Sequence, residues 1–303
     1  MSARELVVLG CGSQVPTRER NHNGYLLRWD GEGLLFDPGE GTQRQFIFAG
    51  VAPTAVTRIL ITHFHGDHCL GLAGMLQRLS LDGVTRPIHL YFPASGRSFI
   101  ECARRASIYH DRLDLVLHPV HEPGEIDRTD RFRIEAQRLE HPVETFGWRI
   151  VEHDGRRFLP ERLARHGVQG PAVGELARRG QMEVGGRTVK LEQVSAPRRG
   201  QRFAFVMDTR PCAGARTLLE GADLAVLEAT FLDDLRDRAI AYGHLTVSEA
   251  CALAREAGVR RLVLAHFSQR YADPAVIRAA AEPRFPGAIV AEDGLRVAVA
   301  PRR

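Results

Sequence analysis

Three histidines and an aspartate crowd into six positions of the stretch ITHFHGDHCLGLAG: His63, His65, Asp67 and His68. Residues two apart on an extended segment share a face, so His63 and His65 can hold one metal ion while Asp67 and His68, on the turn that follows, reach a second. Neutral imidazoles with carboxylates and no thiolate favour zinc, and ligand type alone leaves manganese and iron open. So many polar groups near one point are hard to keep together uncompensated, and bound dications supply the compensation. A chance knot of polar residues on a surface turn is the competing reading, and the apolar run directly before the cluster counts against it. The histidines at His89, His110, His118, His121, His153 and His166 stand alone and receive no role.

The same placement recurs along the chain. Residues 58–61 form a short apolar run that reads as a buried strand, and the His63 cluster follows at once. Residues 132–139 alternate apolar and polar as a half-buried strand does, and His141 follows. Residues 203–207, 224–227 and 262–265 are further buried-strand candidates, ended by Asp208, Glu228 and His266. Five strands closed in this way are expected to line those side chains along one edge of a sheet. Between them, Thr246-Val-Ser-Glu249 has the form of a capping box that opens a helix ended at Gly258, and residues 70–81 carry leucines at helical spacing. Strands alternating with helices predict an α/β or layered αββα domain.

With 44% hydrophobic and 26% charged residues, the composition is that of a globular protein rather than a disordered or fibrous one. The start, MSARELVVLGCG, lacks the long apolar stretch and cleavage site of a signal peptide, and no window approaches the roughly 20 apolar residues of a membrane helix. A cytoplasmic, membrane-free protein is therefore expected. Cys11, Cys69, Cys102, Cys212 and Cys251 are odd in number, scattered and without a CxxC pair, which argues against a disulfide framework. The net charge of +4 is unevenly spread: residues 153–200 hold ten basic residues against five acidic ones. That excess is the footprint expected for a polyanion, although a solvated basic surface has the same charge. Lys190 is the only lysine, so the preference for arginine is a property of the whole chain. Residues 152–196 are also rich in Gly, Arg and Pro and break the strand–helix rhythm, so they read as an arm inserted into a core of residues 1–151 and 197–303.

The HxHxDH stretch with its distal His, Asp and His resembles the metallo-β-lactamase fold. Further stretches resemble one branch of it, the tRNA 3′-processing endoribonucleases of the short RNase Z form. They are LGCGSQVPTRERN, LLFDPGEGTQRQF, THFHGDHCLGLAGML, HPVETFGWRI, GVQGPAVGELARRG, FVMDTRPC, LEATF, YGHLT and AHFSQRY, and together they span nearly the whole chain. The resemblance implies an α/β metallo-β-lactamase αββα sandwich with an inserted flexible arm, and two zinc ions per subunit. His63, His65 and His141 would hold one ion, Asp67, His68 and His266 the other, and Asp208 would bridge them. It also implies that Asp67 activates water and that His244, oriented by Glu228, is the general acid. The arm, with Gly170-Pro171, would bind the tRNA elbow, and Arg162, Arg165, Arg178 and Arg179 are its expected RNA contacts. The loop PTRERN, carrying Arg18, Arg20 and Asn21, would sense the RNA 3′ end, with Arg where the family pattern has Lys. Homodimers are implied, in which one subunit's arm serves the other's site. The expected activity is cleavage of pre-tRNA after the discriminator nucleotide, leaving a 3′-hydroxyl tRNA and a 5′-phosphate trailer. A small-substrate phosphodiesterase or esterase of the same fold is the alternative; an RNA-binding protein with structural zinc is disfavoured, because structural sites are closed and four-coordinate.

Overall fold

The computed structural model describes residues 4–300. Two seven-stranded sheets face each other. The first runs in the order Arg296–Ala298, Glu5–Gly10, Gly24–Trp29, Glu32–Phe36, Arg58–Leu60, Ile88–Pro93, Leu115–Val120. The second runs Ile289–Val290, Leu262–Ala265, Leu224–Glu228, Arg202–Val206, Phe146–Glu152, Phe132–Arg138, Gly124–Arg128.

Period-two alternation explains how one strand serves two cores. In Glu5–Gly10, Leu6 and Val8 join the core shared between the sheets, while Val7 and Leu9 join the core beneath the helices of the first sheet. Stacked Phe36 and Phe205, with centroids 4.7 Å apart, link the facing sheets. Helix Leu72–Leu81 buries Leu72, Met75, Leu76 and Leu79 against the first sheet, and helix Val247–Glu256 buries Ala250, Cys251, Leu253 and Ala254 against the second. Helices on both outer faces make the αββα sandwich. Helix Val247–Glu256 begins where the sequence places it, with the Thr246–Glu249 capping box formed in both directions.

Residues 155–198 stand apart from the sheets. Strands Gly155–Phe158 and Ser195–Arg198 pair at their base, and Gln181–Val184 and Arg187–Lys190 form a second two-stranded sheet. Helices Pro160–Arg165 and Pro171–Arg179 pack with these around Val168, Leu176, Val189 and Val194, a small core of its own. The short helix and hairpin signals thus add up to a folded unit. Its base is tied to the body by Glu152, which accepts from Arg198 at 2.7 Å and from Arg4 at 3.0 Å.

One expectation needs correcting. The five strands do not share a sheet: Arg58–Leu60 belongs to the first sheet and the other four to the second. A buried apolar run carries no mark of which sheet it joins, so the site lies where the edges of two sheets meet. The backbone bond from Phe146 N–H to the Thr62 carbonyl, 3.0 Å, closes that junction.

Candidate active site

Strands Arg202–Val206, Leu224–Glu228 and Leu262–Ala265 are mutually parallel, so their carboxyl ends deliver Asp208, Glu228 and His266 to one edge. Across the gap, the turn after Arg58–Leu60 brings His63, His65, Asp67 and His68, the last two on the single-turn helix Gly66–Cys69. Asp37, Asp208 and His266 all adopt positive φ, of 44°, 48° and 60°. Such backbone is sparsely populated by non-glycine residues and is held here by the fixed strand ends.

The potential ligand atoms form three overlapping groups, one of His63, His65, His141 and Asp208, another of Asp67, His68 and His266, and a third of Asp208, His244 and His266, within each of which they lie no more than 4.8 Å apart. Asp208 joins the first two through its two oxygens. Oδ2 lies 3.5 Å from His63 Nε2 and 3.8 Å from His141 Nε2. Oδ1 lies 3.4 Å from His68 Nε2 and 3.2 Å from His266 Nε2, yet is buried without a hydrogen bond. An orphaned buried carboxylate oxygen facing two imidazoles is what a cation site requires, so the residues fit a metal centre.

The outer ring nitrogens fix which nitrogen faces inward. His68 Nδ1 meets Asp37 at 2.8 Å, His266 Nδ1 meets the Thr230 hydroxyl at 2.7 Å, His63 Nδ1 meets the Thr62 hydroxyl at 3.0 Å, and His141 Nδ1 meets the Gly243 carbonyl at 3.1 Å. Each of these rings therefore presents Nε2 to the centre, the arrangement that orients metal-binding histidines. His65 differs: its Nδ1 is the inward atom, 3.0 Å from His63 Nε2 and 3.3 Å from His141 Nε2.

Burial opposes every charge here, and neighbours decide the outcome. It holds His63 well below the ordinary imidazole value, helped by the charge on His68, and lowers His65 and His141 as well. Burial would also lower His68, but Asp208, Asp67 and Asp37 overcome it and raise that imidazole well above its usual value. Burial would raise Asp67 and Asp208, yet the surrounding histidines hold both carboxyls well below the usual range. Neutral imidazoles at His63, His65 and His141 and ionised carboxylates at Asp67 and Asp208 are the protonation states that ligation requires, while His68, held cationic by its three carboxylates, has to give up its proton to a metal.

His244 stands beside the first two groups, its Nδ1 3.1 Å from Glu228 Oε1 and 4.0 Å from Asp208 Oδ2. Burial would lower its pKa, but the Glu228 charge, seconded by Asp208, pushes it up to about 9. Glu228 is fully buried and accepts from the Thr209 and Leu245 backbone N–H groups at 2.7 and 3.1 Å and from the Thr230 hydroxyl at 2.6 Å. Those bonds fix the carboxylate, and the carboxylate fixes the ring.

A cavity of about 450 Å³ opens over this group, lined by His65, Asp67, His141, Asp208, His244 and His266 among others. Residues with no role visible in the sequence support it from behind. Asp37, inside the stretch LLFDPGEGTQRQF, bonds His68 and also the Thr62 N–H and hydroxyl, each at 2.7 Å. Arg210 bonds the His244 carbonyl and grips Glu249 at 2.8 and 2.9 Å, tying the His244 loop to the capping box.

The expected RNA contacts lie elsewhere and divide. Arg162, Arg165, Arg178 and Arg179 lie on the small unit, the first two at the end of helix Pro160–Arg165 and the others at the end of helix Pro171–Arg179. Gly170-Pro171 is exposed at the start of that second helix. Arg18 is exposed, but Arg20 is not a free contact. It is 5% exposed, lies over the Phe267 ring at 5.3 Å and bonds the Tyr271 carbonyl at 2.6 Å, so it braces the loop. Asn21 is likewise turned inward, its amide donating to the Glu40 carbonyl at 2.8 Å.

Residues 17–159 match the profile described as Metallo-beta-lactamase superfamily, and residues 181–267 match the Beta-lactamase superfamily domain. Ribonuclease Z of Nocardia farcinica is 57% identical over 305 residues, with 100% of each chain covered. Ribonuclease Z of Streptomyces coelicolor is 56% identical, again with 100% of each covered. The structure of human tRNase Z, short form, superimposes with a TM-score of 0.71 at 26% identity, covering 98% of this chain and 100% of that one. Over its full length, therefore, the chain belongs to the ribonuclease Z family of the metallo-β-lactamase superfamily.

Proposed function

We propose that the chain is a metal-dependent endoribonuclease that removes the 3′ trailer of pre-tRNA, cutting after the discriminator nucleotide. Full-length identity of 57% to a ribonuclease Z supports the activity. The observation that carries the chemistry is the position of Asp208, one oxygen toward each ligand group, with His244 beside it.

His63, His65 and His141 would hold one ion and Asp67, His68 and His266 the other, with the Asp208 carboxylate placed to serve both. All-nitrogen-and-oxygen donors support zinc, two ions per subunit. Such a pair supplies Lewis-acid activation of water and neutralises charge on the phosphodiester. The protein's own groups do the rest. Asp67, kept ionised by His68 and His266, orients the attacking water and accepts its proton. His244, held cationic by Glu228, gives a proton to the departing ribose 3′-oxygen, which stays with the tRNA as a hydroxyl.

The small unit of residues 155–198 is the tRNA-binding exosite in this reading, supported by its arginines and its separate core. A homodimer in which that unit serves the partner's site goes with the same resemblance. The cytoplasm is the inferred location; the five cysteines are all free, as suits a reducing compartment, and among the described residues no helix is long and apolar enough to cross a membrane.

Metal removal tests the assignment. Native mass spectrometry is expected to find two zinc ions per chain. Dialysis against a chelator abolishes pre-tRNA cleavage, and zinc restores it. Cleavage by chelated protein, or a single ion at full activity, contradicts it.

A further inference from the structure

One wall of the active-site cavity carries neither a metal ligand nor a proton donor. Helix Arg236–Tyr242 contributes Arg238, Ala241 and Tyr242 to that lining. Arg238 and Tyr242 are four residues apart and so lie on one face of the helix. Their setting is unlike that of neighbouring charges. Arg236 pairs with Glu249 at 3.3 Å, Arg210 with Glu249 at 2.8 Å, and Arg284 with Asp233 at 3.1 Å. Arg238 is exposed and, among the described residues, has no acidic partner. Tyr242 is 56% exposed, an aromatic face left open at a polar mouth. The acids lining the cavity are Asp67 and Asp208, both at its floor.

The helix is registered tightly to the site. Gly243 ends it with φ of 74°, its carbonyl meets His141 Nδ1 at 3.1 Å, and a Cβ there would lie 2.9 Å from that same nitrogen. His244 follows directly. The wall that carries Arg238 and Tyr242 is therefore fixed relative to the group that protonates the leaving oxygen.

We propose that Arg238 and Tyr242 grip the nucleotide that becomes the mature RNA's 3′ end, Tyr242 stacking on its base and Arg238 pairing with the phosphate on its 5′ side. The inference rests on the endoribonuclease reading, which places the leaving 3′-oxygen, and hence the retained nucleotide, on the His244 side. Unpaired bases are read by aromatic stacking and phosphates by guanidinium groups. This grip is distinct from the distant arginines of residues 155–198: it selects how the single strand lies over the ions.

The test is steady-state cleavage of pre-tRNA across a salt series, alongside hydrolysis of bis(p-nitrophenyl) phosphate, for Arg238→Ala, Arg238→Lys, Tyr242→Leu and Tyr242→Phe. Both side chains are exposed, so the fold is not at stake. Arg238→Ala is expected to raise KM for pre-tRNA about five- to fiftyfold, more than it lowers kcat, and to reduce the salt slope by about one. Arg238→Lys recovers part of the loss. Tyr242→Leu raises KM about five- to a hundredfold, as removal of a base stack does, and Tyr242→Phe stays near wild type. For both truncations the loss on pre-tRNA exceeds the loss on the small diester. KM and salt slope equal to wild type, or equal losses on the two substrates, overturn the grip alone. Wild-type protein that hydrolyses the small diester and leaves pre-tRNA whole overturns the endoribonuclease reading and the grip with it.

Discussion

His244 would be neutral if burial alone decided its state. The Glu228 carboxylate prevails, and the imidazole reaches about 9. In its proposed role as general acid His244 works only while protonated, so kcat is expected to be retained below that value and lost as pH rises through it. Bound dications repel the imidazolium and draw the alkaline limb downward; Glu228→Gln draws it down further by removing the stabilising charge. A kcat–pH profile with an unmoved limb in Glu228→Gln contradicts the pairing. His244→Ala is expected to lower kcat roughly 10²- to 10⁴-fold with metal content unchanged. At this scale the cluster of candidate ligands is legible in the sequence because each member closes an apolar or alternating run or sits in HxHxDH. Asp37 is not legible: a single carboxylate in a glycine-bearing turn has no spacing that marks it, and only the fold brings it to His68. Arg20 misleads for the opposite reason, since a basic residue in a loop reads as exposed while the chain turns it onto Phe267.

Between elements, the close approach of two loops sets where the ligands stand. A Cβ on Gly71 would lie 1.9 Å from the Gly39 carbonyl oxygen, so the turn that carries Asp67 and His68 rests directly on the loop that carries Asp37. Backbone has nowhere to yield there. Gly71→Ala is expected to cost about 1–3 kcal/mol by overpacking and to reduce metal retention together with Tm. Calorimetry and metal analysis on the purified variant check this, and an unchanged Tm with full metal content contradicts it. The strands themselves are readable as apolar runs, and helix Val247–Glu256 as a capping box followed by helical spacing. Sheet membership is not readable, because Arg58–Leu60 and Leu262–Ala265 are equally buried in different sheets.

Across the whole molecule, the proposed division of work sets a phosphodiesterase centre between the two sheets and RNA binding on the basic satellite unit. The satellite is legible as a charge excess and a break in rhythm; its small core is not, since Val168, Leu176, Val189 and Val194 are too widely spaced to signal one another. Replacing Arg162, Arg165, Arg178 and Arg179 by Glu leaves that core untouched, because none of the four belongs to it. The variant is expected to raise KM for pre-tRNA, with the salt slope falling by about 0.9 for each phosphate no longer neutralised, while small-diester hydrolysis persists. Equal effects on both substrates contradict the division of labour.

Where the RNA is cut, and what ends are left, decides the proposed activity most directly. Zinc-loaded protein incubated with matched precursors, with and without an encoded CCA, should release tRNA ending at the discriminator with a 3′-hydroxyl and a trailer with a 5′-phosphate, mapped to the nucleotide. Intact precursor, a cut elsewhere, or a 3′-phosphate on the tRNA would contradict it.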